Sequence, residues 1–437
     1  MSLIRMITIT QQRRSTREKN QQILMLLLAA AVSTMCLPAA HATTYEVGPG
    51  QAYPTIASVP NPSPGDIVNI NCGTYNEVRN WTSSGTPANP ITLQGVCPPQ
   101  SGLPVIDGTG QNMTGNGSHP RAIWQIQGAY YVIQNLAFIH GTNAAKDAAG
   151  IRVMNTGVTI TNVNITHCDM GLMTSTASAT NLLVQYSEIA YNGSGKQDGT
   201  THNVYLTAGN NITFQFSYIH DALSGTNFKT RSQYTQLLYS YIAYGDQNEV
   251  DSDDGPGTAN PNSNLTMIGN IVVSKPNRTL NTSQFICFGQ DVGGLHNGTL
   301  YLINNTLVAG SPSIGFLRST ATDSAIVSVN NIYYGSDTIV QPGYGNGISG
   351  YNNWLSSIAA IPTTFTNNTT GTDPGFVNPT QNNYQLTSTS TALGIGFSSP
   401  VYVDGNGVQQ SGVPVYEYVY PLGSALRPSG PLDAGAY

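Results

Sequence analysis

The chain has 437 residues, 9% charged side chains, 46 glycines and a formal net charge of −6 at pH 7. That length leaves room for one large or two ordinary domains, and the acidic balance argues against nucleic acid or anionic lipid as a partner. Modest net charge and the steady recurrence of Ile, Val, Leu and Tyr exclude a disordered polymer, and the abundance of Gly, Asn, Thr and Ser suits an all-β chain.

The N-terminus comes first. Arg5, Arg13, Arg14, Arg17 and Lys19 form a basic head, 23–32 is an apolar run, and Ala40-His41-Ala42 fits a small-x-small cleavage site. Residues 1–42 therefore read as a secretory signal peptide, which makes a secreted or periplasmic location the expectation. The apolar run is too short to span a bilayer, so no membrane partner is expected. Without this leader, 11 basic and 21 acidic residues remain, a net charge of −10. An acidic substrate must then be met by a local basic site. Of the remaining cysteines, Cys72 and Cys97 lie about one coil apart and are placed for a bridge between neighbouring coils, as an exported chain permits. Cys168 and Cys287 are expected to be buried thiols, and no pair has zinc spacing.

From residue 133 the chain repeats itself. Ile133-Gln-Asn135-Leu-Ala-Phe138, Ile160-Thr-Asn162-Val-Asn-Ile165, Val184-Gln-Tyr186-Ser-Glu-Ile189, Phe214-Gln-Phe216-Ser-Tyr-Ile219 and Leu237-Leu-Tyr239-Ser-Tyr-Ile242 are copies of one motif. Ile268-Gly-Asn270-Ile-Val-Val273, Ile303-Asn-Asn305-Thr-Leu-Val308 and Val329-Asn-Asn331-Ile-Tyr-Tyr334 continue it. Short strands at a drifting period, with no helical pattern between them, imply a solenoid whose coils stack in parallel register. The third position is Asn in five copies and aromatic in three. That predicts a hydrogen-bonded Asn column and an aromatic column packed inside.

These motifs, with the entry segments Val47-Gly-Pro-Gly50, Tyr53-Pro-Thr-Ile56 and Gly65-Asp-Ile-Val68, resemble the right-handed parallel β-helix proteins of the pectate-lyase-like superfamily. The resemblance implies an all-β, single-stranded right-handed parallel β-helix over 43–395, with an N-terminal cap. A last coil is expected near 375–390, followed by an extended C-terminal tail over 396–437 that packs on the solenoid. The fold hosts lyases, hydrolases, epimerases and adhesins, so it does not decide function.

The candidate site comes from aligning three coils on their inward apolar residue. His202-Asn203-Val204-Tyr205 stacks on Thr226-Asn227-Phe228-Lys229, which stacks on Asn248-Glu249-Val250-Asp251. With Val204, Phe228 and Val250 inward, Asn203, Asn227 and Glu249 are expected as one outward column. Tyr205, Lys229 and Asp251 form the next, and Arg231 falls level with Asp253. His220 and Asp221 end the intervening strand on a neighbouring side of the coil. In a chain so poor in charge, the cluster suggests uronide β-elimination. That reaction needs a cation on the sugar carboxylate, a base, and an acid for the leaving oxygen. Arg231 suits the cation, and Lys229, its pKa lowered by Arg231, suits the base. Tyr205 or His202 is the second proton-transfer group, while Asn203, Asn227, His220, Asp221 and Asp253 are assigned to substrate. Glu249 and Asp251 are the expected oxygen ligands of a calcium ion.

Lys229-Thr-Arg231-Ser232 is similar to the lysine strand of β-helix lyases acting on alginate and dermatan-type chains, where a Lys and an Arg act beside calcium. The expected function is a secreted polysaccharide lyase, a monomer acting on an acidic polysaccharide. The alternatives are a glycoside hydrolase or C5-epimerase on the same fold, or a non-catalytic glycan-binding or adhesin-type solenoid. The structural alternative for the cluster is a charge ladder in which Lys229 and Arg231 pair with Asp251 and Asp253. His202 as a corner residue is the corresponding reading there.

Overall fold

A computed structural model describes residues 42–193, 199–278, 284–320 and 324–437. Positions 1–41 of the expected leader lie outside them. Each full coil carries three short strands. In one coil these are Asn210–Gln215, Tyr218–His220 and Phe228–Thr230, and in the next they are Thr235–Leu238, Tyr241–Ala243 and Val250–Asp253. Equivalent strands pair in parallel from coil to coil, giving sheets of 23 and nine strands among the described residues. The inward side chains, Val204, Phe228 and Val250 among them, fill one continuous buried core. Each large apolar side chain buried this way contributes about 1.5–3 kcal/mol. No described helix is long and apolar enough to cross a membrane.

The coil turns because one residue between its first two strands takes the left-handed conformation. Asn135, Asn162, Tyr186, Phe216 and Tyr239 occupy that bend with φ between 44° and 59°, and Asn304, Asn330 and Asn352 with φ between 53° and 58°. Asn tolerates this conformation better than most residues, which explains Asn135 and Asn162 at the third motif position and Asn304, Asn330 and Asn352 at the bend of the later coils. In the coil between these two groups the bend falls on Gly269, one residue before Asn270.

The repeat therefore slips by one residue in its last three copies. Ile242 pairs with Val272, Val272 with Leu307 and Leu307 with Tyr333, so 272, 307 and 333 point inward rather than 273, 308 and 334. The single expected column is in fact two. Ser187, Ser217, Ser240, Asn270, Asn305, Asn331 and Asn353 form the inward ladder, each side chain accepting from the backbone N–H of the coil before it. Tyr186, Phe216 and Tyr239 stack on the outside instead of within, with ring centroids 5.0 and 5.7 Å apart, and Tyr416 of the tail packs edge-on against them.

Parallel pairing ends at strand Thr369–Gly371. Where a last coil was expected, Phe376–Asn378 and Asn383–Leu386 form an antiparallel pair. Two further antiparallel hairpins, Val401–Val403 with Gln409–Ser411 and Tyr416–Val419 with Gly423–Leu426, make up most of the tail. The tail is anchored to the solenoid by Asn304, which donates to the Asp433 carbonyl, and Asn330, which donates to that of Phe397. Cys72 and Cys97 form a disulfide, and Cys168 and Cys287 are buried and free, as the sequence led us to expect.

Candidate active site

The nine-stranded sheet builds the site. Its register places Tyr205 beside Lys229, Lys229 beside Asp251, Asp251 beside Cys287 and Cys287 beside Arg318. The expected Tyr205–Lys229–Asp251 column is therefore present, and it runs two coils further than the sequence alignment carried it.

Lys229 sits at the centre. Its Nζ lies 3.0 Å from Asp251 Oδ2, 2.7 Å from Asp253 Oδ2 and 3.4 Å from Asp291 Oδ2. The Asp251 and Asp291 contacts are aligned hydrogen bonds, whereas the shorter Asp253 approach is an ion-pair contact outside good hydrogen-bond alignment. Arg231 lies one step along the strand. It bonds Asp291 through Nη2, stands 3.8 Å from Asp253, donates through Nε to the Tyr205 hydroxyl at 3.2 Å and through Nη1 to the Asp254 carbonyl at 2.5 Å.

Electrostatics follow from this geometry. Burial alone would depress the Lys229 ammonium, but Asp251, Asp253 and Asp291 outweigh it and hold the group charged. The expected lowering by Arg231 does not occur, because three carboxyl groups stand within 3.4 Å of Nζ. Arg231 is likewise raised: burial opposes its charge, and Tyr205 and Asp253 support it. Asp253 is pushed up to about 8, by burial first and by repulsion from Asp251 second, against the pull of Lys229. That shift favours its protonated form. Asp291 is held low despite partial burial, because Lys229 and Arg231 face it.

A cleft of about 240 Å³ opens beside this cluster, bordered by Lys229, Asp251, Asp253, Cys287, Asp291 and Arg318, with Gln290 and Thr320 at its edge. The ion pairs of the structural alternative are present, and so is open space alongside them. Arg318 is the feature with no counterpart in the sequence reading. Its guanidinium lies 4.3 Å over the Tyr344 ring and has no carboxylate partner among the described residues. Its Nε is buried and has no hydrogen-bond partner among the described residues.

The other expected residues are placed differently. Asn203, Asn227 and Glu249 do not face outward. Each lies just before a strand begins, where the chain is still turning, so its side chain folds into the corner. There Asn203 donates to Asn227 and to the His220 carbonyl, and Asn227 donates to Glu249 and to the Ala243 carbonyl. Glu249 is fully buried and is bonded to Arg278 at 2.9 Å and to the Gly245 N–H. Burial raises its pKa, against Arg278 and these donors. Glu249 and Asp251 thus point to different places and cannot share a calcium ion. Among the described residues no group of three His, Cys, Asp or Glu is arranged to hold a metal. The point where Asp251, Asp253 and Asp291 converge is filled by Lys229.

His202 is a buried corner residue whose Nδ1 accepts the Thr226 N–H at 3.1 Å, with its ring edge-on to Tyr205. His220 lies on the large sheet, away from Lys229. It bonds Asp221 at 2.7 Å and Glu188 at 3.1 Å and stacks on Tyr218 at 3.7 Å. Tyr205 belongs to the Arg231 network but does not border the cleft. Asp291 and Arg318 were missed. Extending the coil alignment through Ile286-Cys287 and Leu317-Arg318 would have reached the second.

Comparison with solved structures identifies the architecture. The crystal structure of pectate lyase Pel9A aligns over 90% of this chain and 96% of its own, at 14% identity and a TM-score of 0.52. This chain is a parallel β-helix. A PL6 family polysaccharide lyase from Pseudopedobacter saltans aligns over 81% of this chain and 98% of its own, at 12% identity and a TM-score of 0.47. A GH136 lacto-N-biosidase from Eubacterium ramulus aligns over 75% and 67%, at 12% identity and 0.44. At these identities the likeness speaks to the fold alone. No protein-family model matches the sequence, and neither does any curated protein.

Proposed function

We propose that the protein is a secreted polysaccharide lyase, a monomer that cleaves a uronate-containing polysaccharide by β-elimination in the Lys229 cleft. The observation that carries this reading is Arg318. In a chain of net negative charge, this arginine has no acidic partner among the described residues and borders the cleft that also holds Lys229. Four strands in register put Lys229 and Arg318 three coil spacings apart, about 14 Å. Two cationic points at that separation suit a polymer bearing carboxylates on sugars a few units apart along one chain, and neither is needed for a neutral glycan.

The roles follow from the charge states. Lys229 and Arg231 neutralise the carboxylate of the reacting sugar and so stabilise the charge that develops when its α proton leaves. Lys229, held protonated, does not act as the base. Asp251 borders the cleft on the same strand face and is the carboxylate placed to take that proton. Asp253, held protonated, donates to the departing glycosidic oxygen. Environments that push two neighbouring carboxyls apart in pKa are what such a division of labour requires. We derive no step through calcium, since the expected ligand pair does not converge.

A glycoside hydrolase is the second reading. It rests on the same pair: Asp251 and Asp253 both touch Lys229 Nζ, so their carboxyl oxygens lie within about 6 Å of each other, near the spacing retaining enzymes use. The protein lacking residues 1–42, incubated with a panel of polyuronates with and without chelator, separates the two. The lyase reading expects a product absorbing in the ultraviolet from its new double bond. New reducing ends without that absorbance would replace it with hydrolysis.

A further inference from the structure

The cation pair is not vacant in the resting protein. Asp291 sits on it, and three features set this carboxylate apart from Asp251 and Asp253. Its side chain is 47% exposed, whereas theirs are 8% and 6% exposed. It belongs to the loop after strand Gln284–Gly289, not to a strand of the site. And it alone bonds both Lys229 and Arg231 through one oxygen.

The loop is held from behind. Asp254 accepts the backbone N–H groups of Asp291, Val292 and Gly294 at 2.5, 3.0 and 2.7 Å. A Cβ on Gly294 would stand 2.6 Å from Asp254 Oδ2, so a side chain there would push the Asp254 carboxylate off its donors. The backbone is thus fixed by contacts that do not involve the Asp291 side chain. That side chain can swing away from the cations without dismantling the loop.

We propose that Asp291 is a built-in stand-in for the substrate: its carboxylate occupies the Lys229–Arg231 seat at rest and is displaced by the carboxylate of an incoming uronate. This rests on the lyase reading for its substrate class, but it concerns binding and not bond cleavage. The geometry supports the exchange. When Asp291 leaves, Arg231 Nη2 loses its hydrogen-bonded carboxylate and Lys229 Nζ loses one of its three carboxyl contacts, so both cations keep donors free for an anion of the same shape. Removing it also uncovers Arg231, which does not border the cleft while Asp291 is bound. An occupied seat discriminates as well: a neutral sugar offers nothing to replace the two bonds Asp291 gives up.

The test uses monomeric galacturonate, guluronate and mannuronate, which have no glycosidic bond to cleave, titrated into the otherwise native protein. Asp291→Asn keeps the side-chain shape and removes the charge that competes. It should tighten binding of at least one uronate by about tenfold or more, the scale of one charge-assisted hydrogen bond, and leave binding of the matching neutral hexose unchanged. Asp291→Ala should do the same, and Asp291→Glu should restore weak binding. Unchanged or weaker uronate binding in both Asp291→Asn and Asp291→Ala would overturn the proposal, as would equal tightening toward the neutral hexose. Tightening here, with no unsaturated product in the separate polyuronate assay, would sink the lyase reading and leave this inference standing. Lyase product without tightening would do the reverse.

Discussion

Two polar columns run along the same three coils, two residues apart, and they do opposite things. Asn203, Asn227 and Glu249 close a corner. They are fully buried, bonded to one another, to backbone carbonyls and, through Glu249, to Arg278. Tyr205, Lys229 and Asp251 lie on the outer face of a sheet, the last two beside open space. Both contain charged or amide side chains at one-coil spacing, so residue type and period do not separate them. What separates them is where the strand begins. Val204, Phe228 and Val250 are the first strand residues. The residue after each obeys the alternation of a strand, and the residue before each obeys the turn. A buried polar ladder stabilises a corner only while every member is satisfied. A functional column must leave some capacity unspent, as Arg318 does.

The comparison can be broken from either side. On the cleft side, Asp253→Asn removes the proposed proton donor while keeping its shape. Turnover of a polyuronate should fall by about 10²–10⁴-fold, the usual weight of general acid catalysis, with the thermal midpoint unchanged or raised, since a buried and repelled carboxylate is lost. On the corner side, Glu249→Ala leaves Arg278 as an uncompensated buried charge and Asn227 short of a partner. It should cost about 3–5 kcal/mol of stability in urea unfolding, and any activity loss should track unfolding. A corner variant that stays fully folded yet loses turnover would erase the distinction.

Acidity sharpens the comparison further. Asp253 works only while protonated, and its pKa is raised to about 8. Activity should therefore hold through neutral pH and decline as pH rises through about 8, by about tenfold per unit once the proton is gone. Asp253→Asn should abolish that limb. The smallest effect expected is at the far end of the cleft. Arg318→Ala should raise KM for the polymer by about tenfold, the weight of one charge-assisted contact, with kcat nearly unchanged, because this residue binds a carboxylate away from the bond that breaks.

Much of this was legible in the sequence, and the failures have physical causes. The parallel solenoid, the Cys72–Cys97 bridge and the contact of Lys229 with Asp251 and Asp253 all follow from alternation within strands and stacking between coils. The inward register was lost after Ile242, because a glycine took over the left-handed bend and moved the next Asn onto the inner ladder. The sequence left His202 open between proton transfer and a corner ring bonded to backbone, and the corner role is the one it takes. Arg318 was hidden by the apolar strand Gln284–Gly289 that separates it from Asp251. Asp291 had no sequence signal at all: its position depends on a loop pinned by Asp254, a contact between coils that no local pattern records.

The most direct measurement is a crystal structure of the Asp253→Asn protein with a bound uronate oligosaccharide. One sugar carboxylate should lie within hydrogen-bonding distance of Lys229 and Arg231, with a second on Arg318, and the Asn203–Asn227–Glu249 corner should be unmoved. Sugar bound on another face, such as that of His220 and Asp221, or in the cleft with its carboxylates turned away from all three cations, would contradict the account.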